Sequence, residues 1–253
     1  MIVSIVIPVY NEALLLPMVL ERVAAAPLPS VCEKEIIVVD DGSTDSTRAV
    51  LERYRESHFV VVHHSPVNFG KGAAIRLGLA RASGDIILIQ DGDLEYDPRD
   101  YTAVLAPIVS GAADVVFGSR FLRGVRGMRK RNWIANKILT HTANLLFGAC
   151  ITDQATAYKA FRRAVIQRLR LRCIRFEFCA EVTAKLRRLG YRIHEVPISY
   201  NPRGVLGGKK IRWQDGLEAL FTLIRYRFAP LTSFAVEPAS EAQDDTAHAP
   251  AGS

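Results

Sequence analysis

The chain has 253 residues, 49% of them apolar and 23% charged, with a formal net charge of +7. This is the composition of an ordinary globular protein with room for one large α/β domain, and no apolar run approaches the roughly 20 residues of a bilayer-spanning helix. Charge is uneven: residues 1–114 carry 9 basic and 16 acidic side chains, residues 115–230 carry 24 and 6, and residues 231–253 carry none and 4, so the middle of the chain is expected to meet a polyanion such as phosphate, an anionic membrane or nucleic acid.

Residues 2–7 are a short apolar run ended by Pro8, read as a buried strand. The opening MIVSIVIPVYNE lacks the basic region and cleavage site of a signal peptide. Asn11 is placed to cap a helix from about residue 12 to 25, closed by Pro27 and Pro29. Residues 34–40 form a second strand, Asp41-Gly42-Ser43 its turn, and Ser43 or Thr44 the cap of a helix running to Arg55. Strands over 59–63, 85–90 and 114–118 alternate with helices over 73–82 and 100–110. This alternation predicts a doubly wound, mostly parallel sheet.

Beyond Gly118 the style changes. Residues 120–131 are a basic loop and 132–147 a helix with lone His141 as a packed or surface residue. A strand over 157–161, helices over 163–169 and 177–189, and a strand over 191–198 follow. Residues 201–210 form a Gly- and Lys-rich loop. Trp213–Phe228 is amphipathic, with Trp213, Leu217, Leu220, Phe221 and Ile224 on one side. That side reads as core by default, with contact to a membrane surface as its second reading. Residues 230–253 read as a disordered acidic tail. Four cysteines without C-x-x-C spacing read as reduced thiols of a cytosolic protein.

Chemistry concentrates at strand ends. In IILIQDGDLEYD three carboxylates, Asp91, Asp93 and Glu95, sit at alternate positions after the 85–90 strand. Carboxylates this close repel unless a cation lies among them, and strand C-termini are where open α/β sheets bind ligands. Taken alone, the cluster is either a divalent-metal site or a solvated acidic loop. Pro8-Val9-Tyr10-Asn11-Glu12 is either an ordinary βα turn or a nucleotide contact whose helix start offers N–H groups to an anion. Asp40-Asp41-Gly42-Ser43 suits base or ribose hydrogen bonds as well as a helix cap. Asn68-Phe69-Gly70-Lys71-Gly72 is similar to a phosphate-cradling loop, although neither the P-loop pattern nor G-x-G-x-x-G is present, which counts against a dinucleotide-binding enzyme.

In this order, V-I-P-V-Y-N-E, V-V-D-D-G-S-T-D, N-F-G-K-G-A-A-I-R-L-G, D-G-D-L-E-Y-D-P with G-S-R, T-D-Q-A-T-A-Y-K-A-F-R and P-R-G-V-L-G-G-K-K-I-R-W-Q-D-G resemble inverting family 2 glycosyltransferases. Within them the series is similar to the polyprenyl-phosphate hexose synthases, relatives of dolichyl-phosphate mannose and glucose synthases, over about residues 2–228. The resemblance implies a nucleotide-diphospho-sugar transferase (GT-A) fold. Residues 1–118 would form the nucleotide-sugar-binding half, 119–229 the basic acceptor half of the same catalytic domain, and 230–253 the tail. It implies a nucleotide site lined by Pro8, Tyr10 and Glu12, with Val39 and Asp41 at the base and Lys71 and Gly92 near the donor. Asp91, Asp93 and Glu95 would hold Mg²⁺ or Mn²⁺. Arg120, Arg203 and Lys209 or Lys210 would meet donor phosphates, and Arg120 and Arg131 the acceptor phosphate. Asp153 would act as base in hydroxyl-acceptor relatives or orient a basic side chain here; Ala155 and Ala157 depart from the usual motif around it.

The expected reaction is transfer of a hexose from a GDP-mannose or UDP-glucose type donor to a polyprenyl or dolichyl monophosphate. A lipid phosphate is already ionised and needs no base, and the acid-free span 115–152 supplies cations to hold it. Members of this group commonly continue into transmembrane helices. Here the expectation is peripheral docking on the cytoplasmic face, through basic charge, or through a separate membrane subunit. The rival readings are a family 2 enzyme acting on a hydroxyl acceptor and an inactive scaffold or anion-binding protein. A pyrophosphorylase should carry G-x-G-x-R where P-V-Y-N-E stands, a polymer-forming enzyme Q-x-x-R-W, and a nucleic-acid binder aromatic interleaving for base stacking.

Overall fold

The computed structural model describes residues 1–54, 60–125, 127–202 and 213–234. Seven strands, β1 (Ile2–Val9), β2 (Glu33–Asp40), β3 (Val60–His64), β4 (Ile86–Ile89), β5 (Val115–Ser119), β6 (Lys159–Arg162) and β7 (His194–Pro197), form one sheet in the order β3-β2-β1-β4-β6-β5-β7. β1 pairs in parallel with β2 and β4, β2 with β3, and β5 with β7; β6 runs antiparallel between β4 and β5. The second half of the sequence therefore contributes two strands to the sheet begun by the first. β1 is buried from Val3 to Val9 because it is covered on both faces.

Helices α1 (Leu16–Ala25), α2 (Thr47–Glu52), α3 (Lys71–Arg81), α4 (Tyr101–Val109), α5 (Lys130–Phe147), α6 (Arg163–Gln167), α7 (Phe178–Arg188) and α8 (Trp213–Phe228) complete the described elements. Alternation divides the strand side chains between two cores. Val3, Ile5, Ile7, Ile36, Val38, Ile86 and Leu88 pack with α1 and α4 on one face. Val6, Ile37, Val39, Ile87 and Ile89 pack with α3 and α7 on the other. Gly78 lets α3 lie directly on the sheet: a Cβ there would meet Val6 Cγ1 at 2.4 Å. A third cluster joins α5, α7 and α8 through Ala143, Ala180, Ala184, Ala219 and Leu223.

Three expectations are corrected. α1 begins at Leu16 rather than near residue 12, because Asn11 adopts φ +52° and the chain is tied to the loop after β2 before it turns helical. α8 has the expected bounds but the opposite orientation: Ala219, Thr222, Leu223 and Tyr226 are buried, while Trp213, Leu217, Phe221 and Ile224 are exposed. Order continues past Pro230 through a turn at Leu231–Ser233 to Phe234, which is fully buried and whose carbonyl accepts from Arg170 N–H at 2.9 Å. Residues 235–253 lie outside the described residues.

Candidate active site

The C-terminal ends of β1, β2, β4 and β5 point to one edge of the sheet, and the predicted stations gather there. The β1 exit is stitched to the β2 exit. Asn11 N–H donates to Ser43 Oγ (2.9 Å), Glu12 N–H to Thr47 Oγ1 (2.9 Å) and Ala13 N–H to Asp45 Oδ2 (3.2 Å), while Asn11 Oδ1 accepts from Thr44 N–H (2.8 Å). The N–H groups expected to await an anion are thus already satisfied. The Asn68–Gly72 loop behaves similarly. The buried Asp41 carboxylate accepts from Phe69 N–H (2.9 Å) and Gly70 N–H (2.7 Å), and Gly72 N–H donates to Arg175 O. The Asp41 carboxylate thus holds the Asn68–Gly72 loop against the end of β2. Burial raises the Asp41 pKa, only partly offset by these two donors.

Folding this loop starts α3 at Lys71 and sends its ammonium to Asp91 Oδ1 at 2.5 Å. Burial alone would depress the Lys71 pKa, but Asp91 outweighs it and the value lies above that of an ordinary lysine. Gly92 is required by packing: a Cβ would meet Val9 Cγ1 at 2.7 Å. Asp93 Oδ1 accepts from Glu95 N–H (2.9 Å), and Glu95 Oε2 accepts from Tyr200 O–H (3.2 Å). Among the described residues no three His, Cys, Asp or Glu side chains converge as a metal-ligand group. Asp91 turns toward Lys71 and Glu95 toward Tyr200, which keeps the like charges of this loop apart.

Across the edge, Arg120 follows β5 and meets Asp153 in a bidentate pair, Nε–Oδ2 2.7 Å and Nη2–Oδ1 2.7 Å, with Arg120 N–H also on Oδ2 at 3.1 Å. Arg120 is 6% exposed and Asp153 0%. Burial opposes the Arg120 charge, but Tyr96 and Tyr200, at the alkaline pH where they ionise, and Asp153 outweigh it and hold its pKa well above the ordinary value. Burial pushes the Tyr96 phenol well up and the Tyr200 phenol to about 12. Both are neutral near neutral pH, so Asp153 is the counter-charge. The Tyr200 ring lies 5.2 Å from the guanidinium carbon, and Tyr96 stacks on Tyr158 at 4.9 Å. Asn201 N–H donates to Glu95 O, which ties the Asp91–Glu95 loop to this node.

One residue that sequence reasoning did not single out organises the node. Glu195 on β7 accepts from Thr152 N–H (2.7 Å), Thr152 Oγ1 (2.9 Å) and Asp153 N–H (3.0 Å), and the Ser119 and Thr152 hydroxyls meet at 2.6 Å. The available signal was rarity, for Glu195 is one of six acids among residues 115–230. Buried Lys159 donates to the Gln154 and Thr156 carbonyls and lies 4.2 Å from the Phe117 ring. A cleft of about 500 Å³ lined by Ala24, Leu28, Cys32 and Lys34 lies at the opposite, N-terminal end of β2, away from this edge.

The model of glycosyl transferase family 2 matches residues 4–170. The chain belongs to that family. It is a glycosyltransferase of GT-A fold. Among curated relatives it is 32% identical over 235 residues to the polyprenol monophosphomannose synthase of Mycolicibacterium smegmatis, covering 88% of this chain and 85% of that protein. It is 33% identical over 174 residues to the dodecaprenyl-phosphate galacturonate synthase of Rhizobium johnstonii, covering 66% of this chain and 50% of that one. Glucosyl-3-phosphoglycerate synthase of Mycobacterium tuberculosis, solved with uridine-diphosphate, superposes with a TM-score of 0.70 at 22% identity, covering 90% of this chain and 80% of that one. The same enzyme solved with Mn²⁺, uridine-diphosphate-glucose and phosphoglyceric acid gives 0.66, at 22% identity over 90% of this chain and 80% of that one. At this identity the likeness is one of fold.

Within this glycosyltransferase the expected residues divide. Pro8, Tyr10, Glu12, Lys71, Asp91, Gly92 and Asp93 lie along the strand-end edge. The Val39 side chain is fully buried in the α3 and α7 core, because alternation along β2 turns it under the sheet. Arg120 and Asp153 form one node. Arg131 is exposed on the first turn of α5. Arg203, Lys209 and Lys210 lie outside the described residues.

Proposed function

We propose that this glycosyltransferase moves a hexose, with inversion, from a nucleoside-diphosphate sugar to a polyprenyl monophosphate at a membrane surface. The observation that carries the reading is the sealed Arg120–Asp153 pair. A hydroxyl acceptor must lose a proton to a base, and a base needs an accessible oxygen. Both Asp153 oxygens are taken by Arg120, so Asp153 is suited to fixing a cation. A phosphate acceptor brings its own ionised oxygen and calls for cations instead. Similarity to polyprenol monophosphomannose synthase along 85% of that protein supports the same acceptor class.

In this reading a phosphate oxygen attacks the anomeric carbon, the bond from that carbon to the diphosphate oxygen breaks, and the nucleoside diphosphate leaves with the electron pair. No proton changes hands. Pro8, Tyr10 and Glu12 border the nucleotide, and the loop held by Asp41 delivers Lys71 to the donor side. Asp91 and Asp93 would hold Mg²⁺ or Mn²⁺. They fit as hard oxygen donors, and Asp91 already faces a cation in the Lys71 ammonium. When bound, such an ion neutralises charge on the diphosphate leaving group. Bidentate pairing with Asp153 fixes the Arg120 charge in place, and Arg131 and the acid-free span 115–152 add positive field for the acceptor phosphate. Arg203 and Lys209 or Lys210 are assigned to donor phosphates.

The test incubates purified protein with Mg²⁺ or Mn²⁺, polyprenyl phosphate and radiolabelled GDP-mannose or UDP-glucose. Label is expected in the organic phase, lost on chelation and absent from Asp93→Ala. Transfer only to a water-soluble hydroxyl acceptor overturns the lipid-phosphate reading and leaves the family assignment intact.

A further inference from the structure

α8 is built backwards for a core helix. Over its 16 residues the side that packs on the protein is Ala219, Thr222, Leu223 and Tyr226, mostly small or polar, with Tyr226 O–H donating to the buried Glu181 carboxylate at 2.8 Å. The large apolar residues recur at 213, 217, 221, 224 and 228, the spacing of one helical stripe. They face away from the protein: Trp213 is 73% exposed, Leu217 56%, Phe221 65% and Phe228 81%. α5, its neighbour in the third cluster, shares part of the arrangement. Thr140 and Ala143 are buried and Leu139, Leu146 and Phe147 pack against the cluster, while Trp133, Ile134, Ile138 and Leu145 are exposed. Among the described residues nothing covers these exposed side chains, and the opposite face of each helix already makes the packing.

We infer that the outer faces of α8 and α5 are the surface by which this enzyme lies on an anionic bilayer, and this rests on the lipid-phosphate reading for the nature of the occupant. Charge points the same way. α5 carries Lys130, Arg131 and Lys137 with no acid, and Arg225 and Arg227 offset Asp215 and Glu218 on α8. Tryptophan near the start of each helix, basic side chains beside each stripe and aliphatic or aromatic residues within it are what an interfacial helix presents to headgroups and acyl chains. Among the described residues no helix is long and apolar enough to cross a membrane, so these helices would bind in the plane of the interface. A second copy of the chain fits less well, since a two-fold contact through α5 sets its three cations against their own copies. Residues 235–253 contain no Leu, Ile, Met or aromatic residue with which to cover the stripe.

The surface also connects to the active site. Lys137 Nζ stands 3.8 Å from the Phe121 ring, and Phe121 follows Arg120 directly in the chain. An acceptor whose phosphate rests at Arg120 would have the exposed side of α5 close to hand for its hydrocarbon chain.

The test is flotation of the full chain with vesicles of phosphatidylcholine, with and without phosphatidylglycerol, in the absence of any sugar donor. The comparison is a Leu217→Ser, Phe221→Ser, Ile224→Ser triple variant, which alters only exposed positions. Wild-type binding is expected to rise with anionic lipid and fall with salt. The triple variant should bind vesicles on the order of a hundredfold more weakly, with an unchanged thermal midpoint and unchanged transfer to a short-chain isoprenyl phosphate in detergent. Vesicle binding that survives the triple substitution, or its absence in the wild type, overturns the inference. So does a wild-type dimer in sedimentation that the triple variant dissolves. Stripe-dependent vesicle binding without transfer to any isoprenyl phosphate leaves the docking surface standing and defeats the proposed acceptor.

Discussion

Replacing Asp153 with Asn removes one charge from a pair nearly closed to water. At the observed 2.7 Å, an effective dielectric of ~20 gives a gross attraction of about 6 kcal/mol. Desolvation of two ions takes back much of that in the intact protein, so the pair adds little net stability. The variant differs, because Arg120 stays charged, 6% exposed, with neutral Tyr96 and Tyr200 around it. Removing one partner of a buried pair costs about 3–5 kcal/mol. For a chain of this size that lowers the melting temperature by about 10 °C, at ~2–4 °C per kcal/mol. The assay is thermal unfolding of wild type, Asp153→Asn, Arg120→Gln and the double variant. The double variant buries neither charge, so the two losses should fall short of additivity by about 2 kcal/mol or more. Additive losses, or a shift under about 3 °C in Asp153→Asn, would refute the buried-pair reasoning. In the same variant kcat should drop while the acid limb of the pH–rate profile remains; loss of that limb would instead make Asp153 a titrating base.

Three further outcomes are expected. Glu195→Gln keeps one acceptor oxygen and turns its N–H₂ toward either the Thr152 or the Asp153 N–H, costing about 1–3 kcal/mol; kcat should fall with the donor KM unchanged, and unaltered kinetics would remove Glu195 from the site's support. Glu181 is held below the ordinary glutamate pKa: burial raises it, but Lys185 and the Arg172 and Tyr226 donors more than compensate. A depressed carboxylate contributes stability that is fully present above its unfolded value near 4.5 and is lost as pH falls through the lower folded value. Melting temperature against pH should therefore drop across that acid window in the wild type and less steeply in Glu181→Gln. Gly92→Ala places a Cβ 2.7 Å from Val9 Cγ1 and should cost about 1–3 kcal/mol, read by denaturant unfolding; a neutral result would mean that the β1 end yields freely.

Much of the fold was legible because central strands of a parallel sheet are apolar on both faces. Each of the seven strands was anticipated with boundary shifts of a few residues, and Trp213–Phe228 was anticipated at both ends. The strand-end stations were legible for the same reason, since a parallel sheet brings successive strand exits to one edge. Side-chain direction was harder. Val39 falls in the core because a single step along β2 reverses the face, and the N–H groups of Asn11, Glu12 and Ala13 are consumed by residues more than 30 positions away. Lys71 and Tyr200 reach two of the three acids, Asp91 and Glu95, through contacts spanning 20 and 105 positions, which no local pattern states.

By itself the sequence determined the element order, the DxD position, the acid-poor basic span and membership of a glycosyltransferase family, all of which rest on local patterns and their succession. Only the tertiary structure decided that Arg120 and Asp153 close on each other, that Glu195 anchors their loop from another strand, and that β6 runs against its neighbours between β4 and β5. It alone turned α8 over. Amphipathic periodicity states that a helix has an apolar side, but whether that side meets the core or the solvent depends on which residues α5 and α7 offer, and here they offer alanines that fit against Ala219 and Leu223.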